Sequence, residues 1–272
     1  MSFLSYLING ISLGSVYAII ALGYTMVYGI ARMLNFAHGD IIMVGGFTVF
    51  TIVTTMGGSP VVGILASVVV CTVLGVTIER VAYRPLRDAS PLAVLITAIG
   101  VSYLLQNVAL LIFGSNARQF TSVITVPALK LAGGKLSISS VTIVTILSCI
   151  VIMAALMTFI NKTKMGQAML AVSEDRGAAT LMGINVNRTI SVTFAIGSAL
   201  AAVAGVLLCS AYPSLSPYTV PCRVSRHLWQ RYLAVSVRSR AHLSAVSCLV
   251  SLKTLPRRIF PPSFLTRSYS LS

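Results

Sequence analysis

Hydrophobic residues in this chain form long, nearly uncharged runs that short polar segments separate. A helix that crosses the hydrocarbon core of a membrane needs about 20 residues, within a range of roughly 17–25. The pattern therefore predicts an all-α, polytopic transmembrane helical bundle of about six spans, or seven if the first span is broken near Asn35. The six predicted spans are residues 7–30, 41–56, 61–78, 92–113, 138–160 and 189–211.

The second and third runs are the shortest, and the tetrapeptide Gly-Gly-Ser-Pro at 57–60 joins them in a tight turn. Short apolar segments of this kind either cross the membrane directly or form tilted or re-entrant elements. The sequence leaves these alternatives open.

Two pairs of small residues lie four positions apart, Gly10 with Gly14 and Ala201 with Gly205. This spacing allows close approach of helix backbones, which stabilises helix association in lipid. Glycine and alanine are also common in membrane helices without such a role, so both interpretations stand at this point.

Composition and charge agree with a membrane protein. Charged residues make up 9% of the chain, whereas a soluble domain has about 25%. Residues 1–219 carry eleven basic and five acidic side chains, a net charge of +6, and residues 220–272 carry nine basic and no acidic ones, a net charge of +9. The total of +15 thus averages two kinds of sequence and does not predict nucleic-acid binding.

Basic residues in short loops favour the cytoplasmic side of a membrane. With six spans, eight of them fall on one side and three on the other, which predicts a cytoplasmic face for the first group and an outside N-terminus. The first group is Arg32, Arg80, Arg84, Arg87, Lys162, Lys164, Arg176 and Arg188, and the second is Arg118, Lys130 and Lys135.

The segment 32–40 is the first candidate site, because it places asparagine, histidine and aspartate between two apolar spans. One interpretation is a broken helix beside a solute pathway, since ionisable groups at membrane depth are costly and tend to serve transport. The other is an interfacial loop in which Asp40 caps the next helix. We predict no metal site at His38, because no second ligand lies near it.

Two further polar segments are predicted to be cytoplasmic. Residues 79–88 form a charged turn that basic residues anchor on that side. Residues 162–184 read as a short amphipathic helix followed by a turn at Gly177 or Gly183. Such a helix either docks in a groove of a soluble partner or lies on the membrane surface.

We predict no enzymatic activity and no cofactor. The sequence has no nucleophile elbow and no paired carboxylates, and the five cysteines have neither metal-ligand nor redox spacing. Gly133-Gly134-Lys135 is followed by Leu136 and lacks the upstream glycine of a nucleotide-binding loop. Energy from ATP would have to come from another chain.

At the three polar segments the chain resembles the permease subunits of bacterial branched-chain amino-acid ABC importers. The resemblance runs from the N-terminus to about Thr219. The matching strings are GYTMVYGIARMLNFAHGD from Gly23, ERVAYRPLR from Glu79 and MGQAMLAVSEDRGAATLMGIN from Met165.

The resemblance implies a transport subunit in the bacterial inner membrane with four partners: a second, related permease, two cytoplasmic ATPase subunits and a periplasmic binding protein. It makes Asn35, Phe36, His38 and Asp40 candidates for the translocation pathway. It assigns Glu174, Ala178, Ala179 and Gly183 to a coupling loop that contacts an ATPase. Related permeases carry urea or short amides, so the solute stays open.

After Thr219 the chain departs from the family, which continues with a glycine-rich segment and further apolar spans. We therefore divide it into a permease domain at 1–219, incomplete at its C-terminal side, and a basic, serine-rich tail at 220–272 that we expect to be disordered. No 20-residue window of this tail is free of charge, so it is predicted to hold no span.

The genetic code suggests how this tail arose. Synonymous codons for the residues from Val220 can be chosen so that one preceding G shifts the frame to GAMPGIKAFVAAVFGGIGSIP, which resembles the family's continuation. This favours a single-base deletion in a run of G. The competing interpretation is a genuine tail attracted to anionic lipid, each basic residue contributing about 1 kcal/mol.

The predicted function is passive conduction of a branched-chain amino acid or a related small polar solute, driven by partner ATPases. Two other classes stay open. A stand-alone secondary transporter or channel is disfavoured by the coupling-like loop and the scarcity of carboxylates within the spans. A truncated remnant without transport activity agrees with the altered tail.

Overall fold

The computed structural model describes residues 2–87, 89–116, 118–119, 129–131, 136–138, 140–211 and 214–215. Within these ranges the chain is built from helices, and the predicted tail at 220–272 lies outside the described residues. In chain order the helices are α1 (Ser2–Ala31), α2 (His38–Phe50), α3 (Pro60–Ile78), α4 (Pro91–Phe113), α5 (Ser140–Lys162), α6 (Lys164–Glu174), α7 (Arg176–Leu181) and α8 (Val186–Ala211).

Six of these helices are long and apolar enough to cross a membrane, which confirms the predicted all-α bundle of six spans. The break near Asn35 separates α1 from α2 and does not add a seventh span to the described residues. Two short antiparallel ribbons accompany the helices: β1 (Arg118–Gln119) with β4 (Ser214–Leu215), and β2 (Leu129–Leu131) with β3 (Leu136–Ile138). The sequence pattern did not predict these ribbons.

The two short spans are extended by π-helical and 3₁₀ turns. A π-helical turn, Thr51–Thr55, continues α2, while a π-helical turn, Glu79–Tyr83, and a 3₁₀ turn, Arg84–Leu86, continue α3. Residues His38–Thr55 then form a span of 18 residues, about 27 Å at 1.5 Å per residue. This length matches a hydrocarbon core of about 30 Å, so α2 does not need to be re-entrant.

Hydrogen bonds between α2 and α3 show that the two helices run in opposite directions. The Cys71 thiol donates to the carbonyl of Ile41 (3.4 Å), and the Ser67 hydroxyl donates to the carbonyl of Gly45 (3.0 Å). From the first pair to the second, the residue number rises along α2, from Ile41 to Gly45, and falls along α3, from Cys71 to Ser67. Both helices therefore form one antiparallel hairpin through the turn at Gly57, whose φ is +65°.

Helix α8 lies at the centre of the bundle, packed against α1, α2 and α3. Small residues make this possible. A Cβ atom on Gly205 would lie 2.5 Å from the carbonyl oxygen of Ile42, and one on Gly75 would lie 1.8 Å from the Ser198 hydroxyl oxygen. The Ala201–Gly205 pair is thus part of a close helix contact. A Cβ atom on Gly14, by contrast, would meet no atom of the described residues within 4 Å.

Helices α4 and α5 lie at the periphery and expose large apolar side chains. In lipid such faces are favourable, whereas in water they would be a liability. The exposed set on these two helices includes Ile96, Leu104, Leu111, Leu147, Ile150 and Met157.

The surroundings of Gly205 and Gly14 predict different effects for substitution of these two glycines. Gly205→Ala should lower the free energy of unfolding by about 1–3 kcal/mol, because the added methyl group overlaps the α2 backbone. Gly14→Ala should be neutral or slightly stabilising, because alanine loses less backbone entropy in a helix. Thermal unfolding in detergent compares the two variants. Equal melting temperatures would contradict the proposed α2–α8 contact.

Candidate translocation and coupling sites

A non-helical break separates α1 from α2 at residues 32–37. Arg32 ends α1 with a left-handed backbone, φ +50°. Asn35 is buried, Phe36 is half-buried, and His38 is buried in the first turn of α2. The side chains of Asn35 and His38 therefore lie inside the protein, and that of Phe36 lies partly inside it.

Asp40 does not cap α2, so the capping interpretation is wrong. The N-cap position of α2 is Ala37, and no side chain makes a capping hydrogen bond there. The Asp40 carboxylate instead accepts hydrogen bonds from α4. The Ser102 hydroxyl donates to Oδ2, and Gln106 Nε2 donates to Oδ1 at 3.0 Å. Gln106 Nε2 also donates to the Ser102 hydroxyl at 3.1 Å.

The position of Asp40 in the bundle follows from its partners. Ser102 is eleven residues after the start of the 23-residue helix α4, about 17 Å along its axis at 1.5 Å per residue. The carboxylate, in the first turn of α2, therefore lies against the middle of α4. A buried carboxylate requires hydrogen-bond donors, and Ser102 and Gln106 supply them.

Sequence reasoning missed Ser102 and Gln106. Their only local signal is a spacing of four residues, which places both on one face of α4. Many membrane helices contain isolated polar residues, so this spacing alone does not indicate a site. The contact of Ser102 and Gln106 with Asp40 became evident only from the fold.

His38 lies beside this cluster in a tight setting. Its side chain is 1% exposed, and its Nε2 atom has no hydrogen-bond partner among the described residues. The imidazole faces the edge of the Tyr24 ring, with centroids 6.1 Å apart. A Cβ atom on Gly23 would lie 3.1 Å from His38 Cε1. The glycine at position 23 thus leaves room for the imidazole.

The segment 79–88 was predicted to be a charged turn, and this prediction is wrong for Glu79. Its side chain is fully buried and forms an ion pair with Arg87. The second carboxylate oxygen accepts from the Ser191 hydroxyl at 2.6 Å, and Arg87 also donates to the side-chain oxygen of Asn187. The end of α3 is therefore joined to the start of α8. Arg80 and Arg84 are exposed, as expected for a charged turn at the surface.

A second contact from this segment reaches the helix break. The Tyr83 hydroxyl donates to the side-chain oxygen of Asn35 at 3.1 Å. The Tyr83 ring also packs on Phe194 of α8, with ring centroids 5.5 Å apart. Asn35 is thus held by a buried tyrosine that α8 supports.

The predicted coupling loop folds as two short helices with side-chain caps. Thr163 Oγ1 accepts from the amide of Gly166 at 3.0 Å at the start of α6. The Asp175 carboxylate accepts from the amides of Gly177 and Ala178 at the start of α7. The chain turns at Gly183, whose φ is +81°. Of the two predicted turn positions Gly183 is correct, because Gly177 lies in the first turn of α7.

The four coupling candidates do not share one environment. Ala179 is buried against the bundle, whereas Glu174, Ala178 and Gly183 are exposed. Sequence reasoning missed the two most exposed apolar side chains of the loop: Leu181 is 90% exposed and Met182 is 82% exposed. Both lie at the end of α7, beyond the membrane-spanning helices.

Two arginines join this loop to the end of α1. The Arg32 guanidinium donates to the carbonyls of Ser173 (2.7 Å) and Glu174 (3.3 Å). In return, Arg176 donates to the carbonyl of Ala31. The basic loops predicted to share one side of the membrane are therefore in contact.

A cleft of about 670 Å³ opens beside these contacts, between the helix break, the beginning of α4 and the junction of α6 and α7. It has both apolar and charged walls, which include Met33, Leu34, Val94, Leu95, Glu174 and Arg176.

Comparison with known proteins decides the family. Residues 6–227 match the family described as "Branched-chain amino acid transport system / permease component". This chain belongs to that family. The resemblance found at the three polar segments is thereby confirmed, and with the six spans it makes the chain a multi-pass membrane protein.

Several relatives are similar over most of their length. The chain is 40% identical to the high-affinity branched-chain amino acid transport system permease protein LivH of Salmonella typhimurium and 41% identical to LivH of Escherichia coli K12. It is 40% identical to the corresponding protein BraD of Pseudomonas aeruginosa. Each comparison covers 79% of this chain and 73% of the relative. No solved structure shows significant similarity to the chain.

The buried ion pair yields a stability prediction. Glu79→Ala should lower the free energy of unfolding by about 3–5 kcal/mol, because it leaves the Arg87 guanidinium uncompensated. Arg84→Ala removes an exposed arginine from the same segment and should change stability by less than about 0.5 kcal/mol.

A double variant, Glu79→Leu with Arg87→Met, tests whether the loss of stability comes from the unpaired charge or from the loss of side-chain volume. It should recover much of the loss, since an apolar pair of similar size avoids the unpaired charge. Thermal unfolding of the three variants in detergent measures this. A loss for Arg84→Ala as large as that for Glu79→Ala would contradict the assignment.

Proposed function

We propose that this chain is the membrane-spanning permease subunit of an ATP-driven importer for branched-chain amino acids in the bacterial inner membrane. The observation that carries the proposal is the buried polar cluster around Asp40 in a chain of this permease family. The relatives named LivH and BraD are described as branched-chain amino acid permeases. Leucine, isoleucine and valine are therefore the first solutes to test, and urea or short amides are the second class.

The helix break supplies the proposed pathway. Asn35, Phe36, His38 and Asp40 line it, and α4 contributes Ser102 and Gln106. A zwitterionic amino acid leaving water needs hydrogen-bonding groups for its ammonium and carboxylate. The Asp40 carboxylate suits the ammonium, and the side chains of Asn35 and His38 suit the carboxylate. The cleft beside Met33 and Leu34 would then be the cytoplasmic end of the route.

The proposed partners follow from the exposed surfaces. Membership of the family implies other importer components. The specific set that we propose is a second related permease, two cytoplasmic ATPases and a periplasmic binding protein. The exposed apolar faces of α4 and α5 would meet lipid or the second permease, and the loop of α6 and α7 would meet an ATPase. ATP hydrolysis is assigned to the ATPase chains.

Reconstitution tests this function directly. The full chain is placed in liposomes with the three kinds of partner, and uptake of radiolabelled leucine is measured. Uptake that requires both ATP and the binding protein supports the proposal. Uptake by the lone chain along an ion gradient would instead support a secondary transporter. A version with one G inserted before the Val220 codon is assayed in parallel.

We also propose that residues 1–219 form the permease domain and that residues 220–272 are out-of-frame translation. The family match ends at residue 227, close to the proposed boundary. Resequencing the DNA around the Thr219 codon tests this proposal. An unambiguous read that keeps the present frame would end it.

The polar cluster predicts a transport defect with a matched control. Gln106→Ala removes one of the two α4 donors to Asp40 and should lower ATP-dependent uptake at least tenfold, equivalent to about 1.4 kcal/mol. Asn107→Ala is the control, because Asn107 is exposed and its side chain donates to the Tyr103 carbonyl of its own helix. The assay uses the version of the chain that gives measurable leucine uptake. Equal uptake by the two variants would contradict the pathway assignment.

The exposed pair at the end of α7 predicts an ATPase contact. Replacing Leu181 and Met182 together by serine should weaken copurification of the ATPase at least tenfold, because burial of such exposed apolar side chains in a partner's groove would contribute to the binding free energy. Serine at exposed Thr180 is the control. Normal membrane insertion with normal ATPase binding of the double variant would exclude this surface.

A further inference from the structure

Arg32 occupies a backbone conformation that favours glycine. Its φ of +50° places it in the left-handed region, while its amide still donates to the Tyr28 carbonyl at 2.8 Å and closes the last turn of α1. A residue with a Cβ atom loses about 1–2 kcal/mol there. Such strain persists where the surrounding structure holds the residue, and it is concentrated at functional positions. We therefore expect the Arg32 side chain to have a specific role in its contacts.

That side chain forms half of a reciprocal contact. The last carbonyls of a helix lack partners within the helix and carry partial negative charge. Arg32 donates to the carbonyls of Ser173 and Glu174 at the end of α6, and Arg176 donates to the carbonyl of Ala31 at the end of α1. Each segment thus supplies the cation that caps the other segment's helix.

The two arginines lie between the two proposed sites. Arg32 is followed directly by the break at 33–37, which leads to His38 and Asp40. Arg176 opens α7, whose other end carries the exposed Leu181 and Met182. Apolar contacts of the loop, such as buried Val172, do not fix its direction, whereas hydrogen bonds to defined carbonyls do.

We propose that Arg32 and Arg176 are positioning residues that transmit movement of the loop at 163–185 to the helix break at 32–37. This inference rests on the proposed function, since the movement originates in an ATPase docked on α7. A shift of α7 carries Arg176 and the Asp175 cap with it. Arg176 donates to the last carbonyl of α1, and Arg32 donates to carbonyls at the end of α6. The helix break at 32–37 therefore moves when the loop moves.

Two substitutions separate this role from a structural one. Arg32→Gly keeps the left-handed helix end and removes its strain, so the chain should stay folded or become more stable. Arg176→Lys keeps the positive charge and removes the planar guanidinium that reaches Ala31. Arg188→Lys is the matched control, because Arg188 lies in the exposed start of α8.

The test measures amide hydrogen exchange of the full chain in lipid nanodiscs, with the importer's ATPase subunits bound, before and after addition of ATP. In the unaltered chain, ATP should change exchange at residues 32–37 at least about fivefold. Arg32→Gly and Arg176→Lys should abolish this response while ATPase copurification and ATP hydrolysis continue. Arg188→Lys should retain it. A response preserved in both variants, or missing from the unaltered chain with hydrolysing ATPases bound, overturns the inference.

A second experiment distinguishes failure of the proposed arginine contacts from failure of the proposed function. If no ATPase binds the unaltered chain, the proposed function is wrong. The hold of the loop on the helix break is then still tested by hydrogen exchange on the chain alone. There, Arg176→Lys should raise exchange at residues 32–37 at least about fivefold, and Arg188→Lys should not. Equal exchange in these two variants would show that the loop does not hold the break.

Discussion

The burial of the Asp40 carboxylate between α2 and α4 is the constraint on which the candidate site depends. A carboxylate removed from water requires donors, and lipid supplies none. Ser102 and Gln106 of α4 provide them, so α4 has to lie beside the first turn of α2. The helix break at 32–37 directly precedes that first turn. The polar cluster around Asp40 and the break are therefore adjacent parts of the structure.

A central helix of small residues makes this arrangement possible. Because Gly205 lies against the α2 backbone and Gly75 of α3 lies against Ser198, both α2 and α3 approach α8 closely. Close backbone approach leaves little space for rearrangement in the middle of the bundle. Polar links such as Glu79 with Ser191 then fix the ends of the helices at one side of the membrane.

The parts of the structure that local pattern determines were predictable. Span positions follow from uninterrupted apolar runs, and the grouping of basic loops follows from span number. The burial of Glu79 was not predictable, because its hydrogen-bond partner Ser191 lies 112 positions away along the chain. The π-helical turn that carries Glu79 inward also has no simple signal. Asn35 and His38 could be selected only as polar residues between spans, and their contacts with Tyr83 and Tyr24 needed the fold.

The helix break is where the two polar networks converge. From one side, the arginine contacts join Ala31 and Arg32 to the loop of α6 and α7. From the other, Tyr83 joins Asn35 to the end of α3, which the Glu79 cluster holds to the start of α8. Helix α8 follows the same loop in sequence. Under the proposed coupling, a movement of that loop would reach the break by two routes, one through α1 and one through α8. Because α1 and α8 also pack directly on each other, the two routes would move the break together, and Asp40 with it.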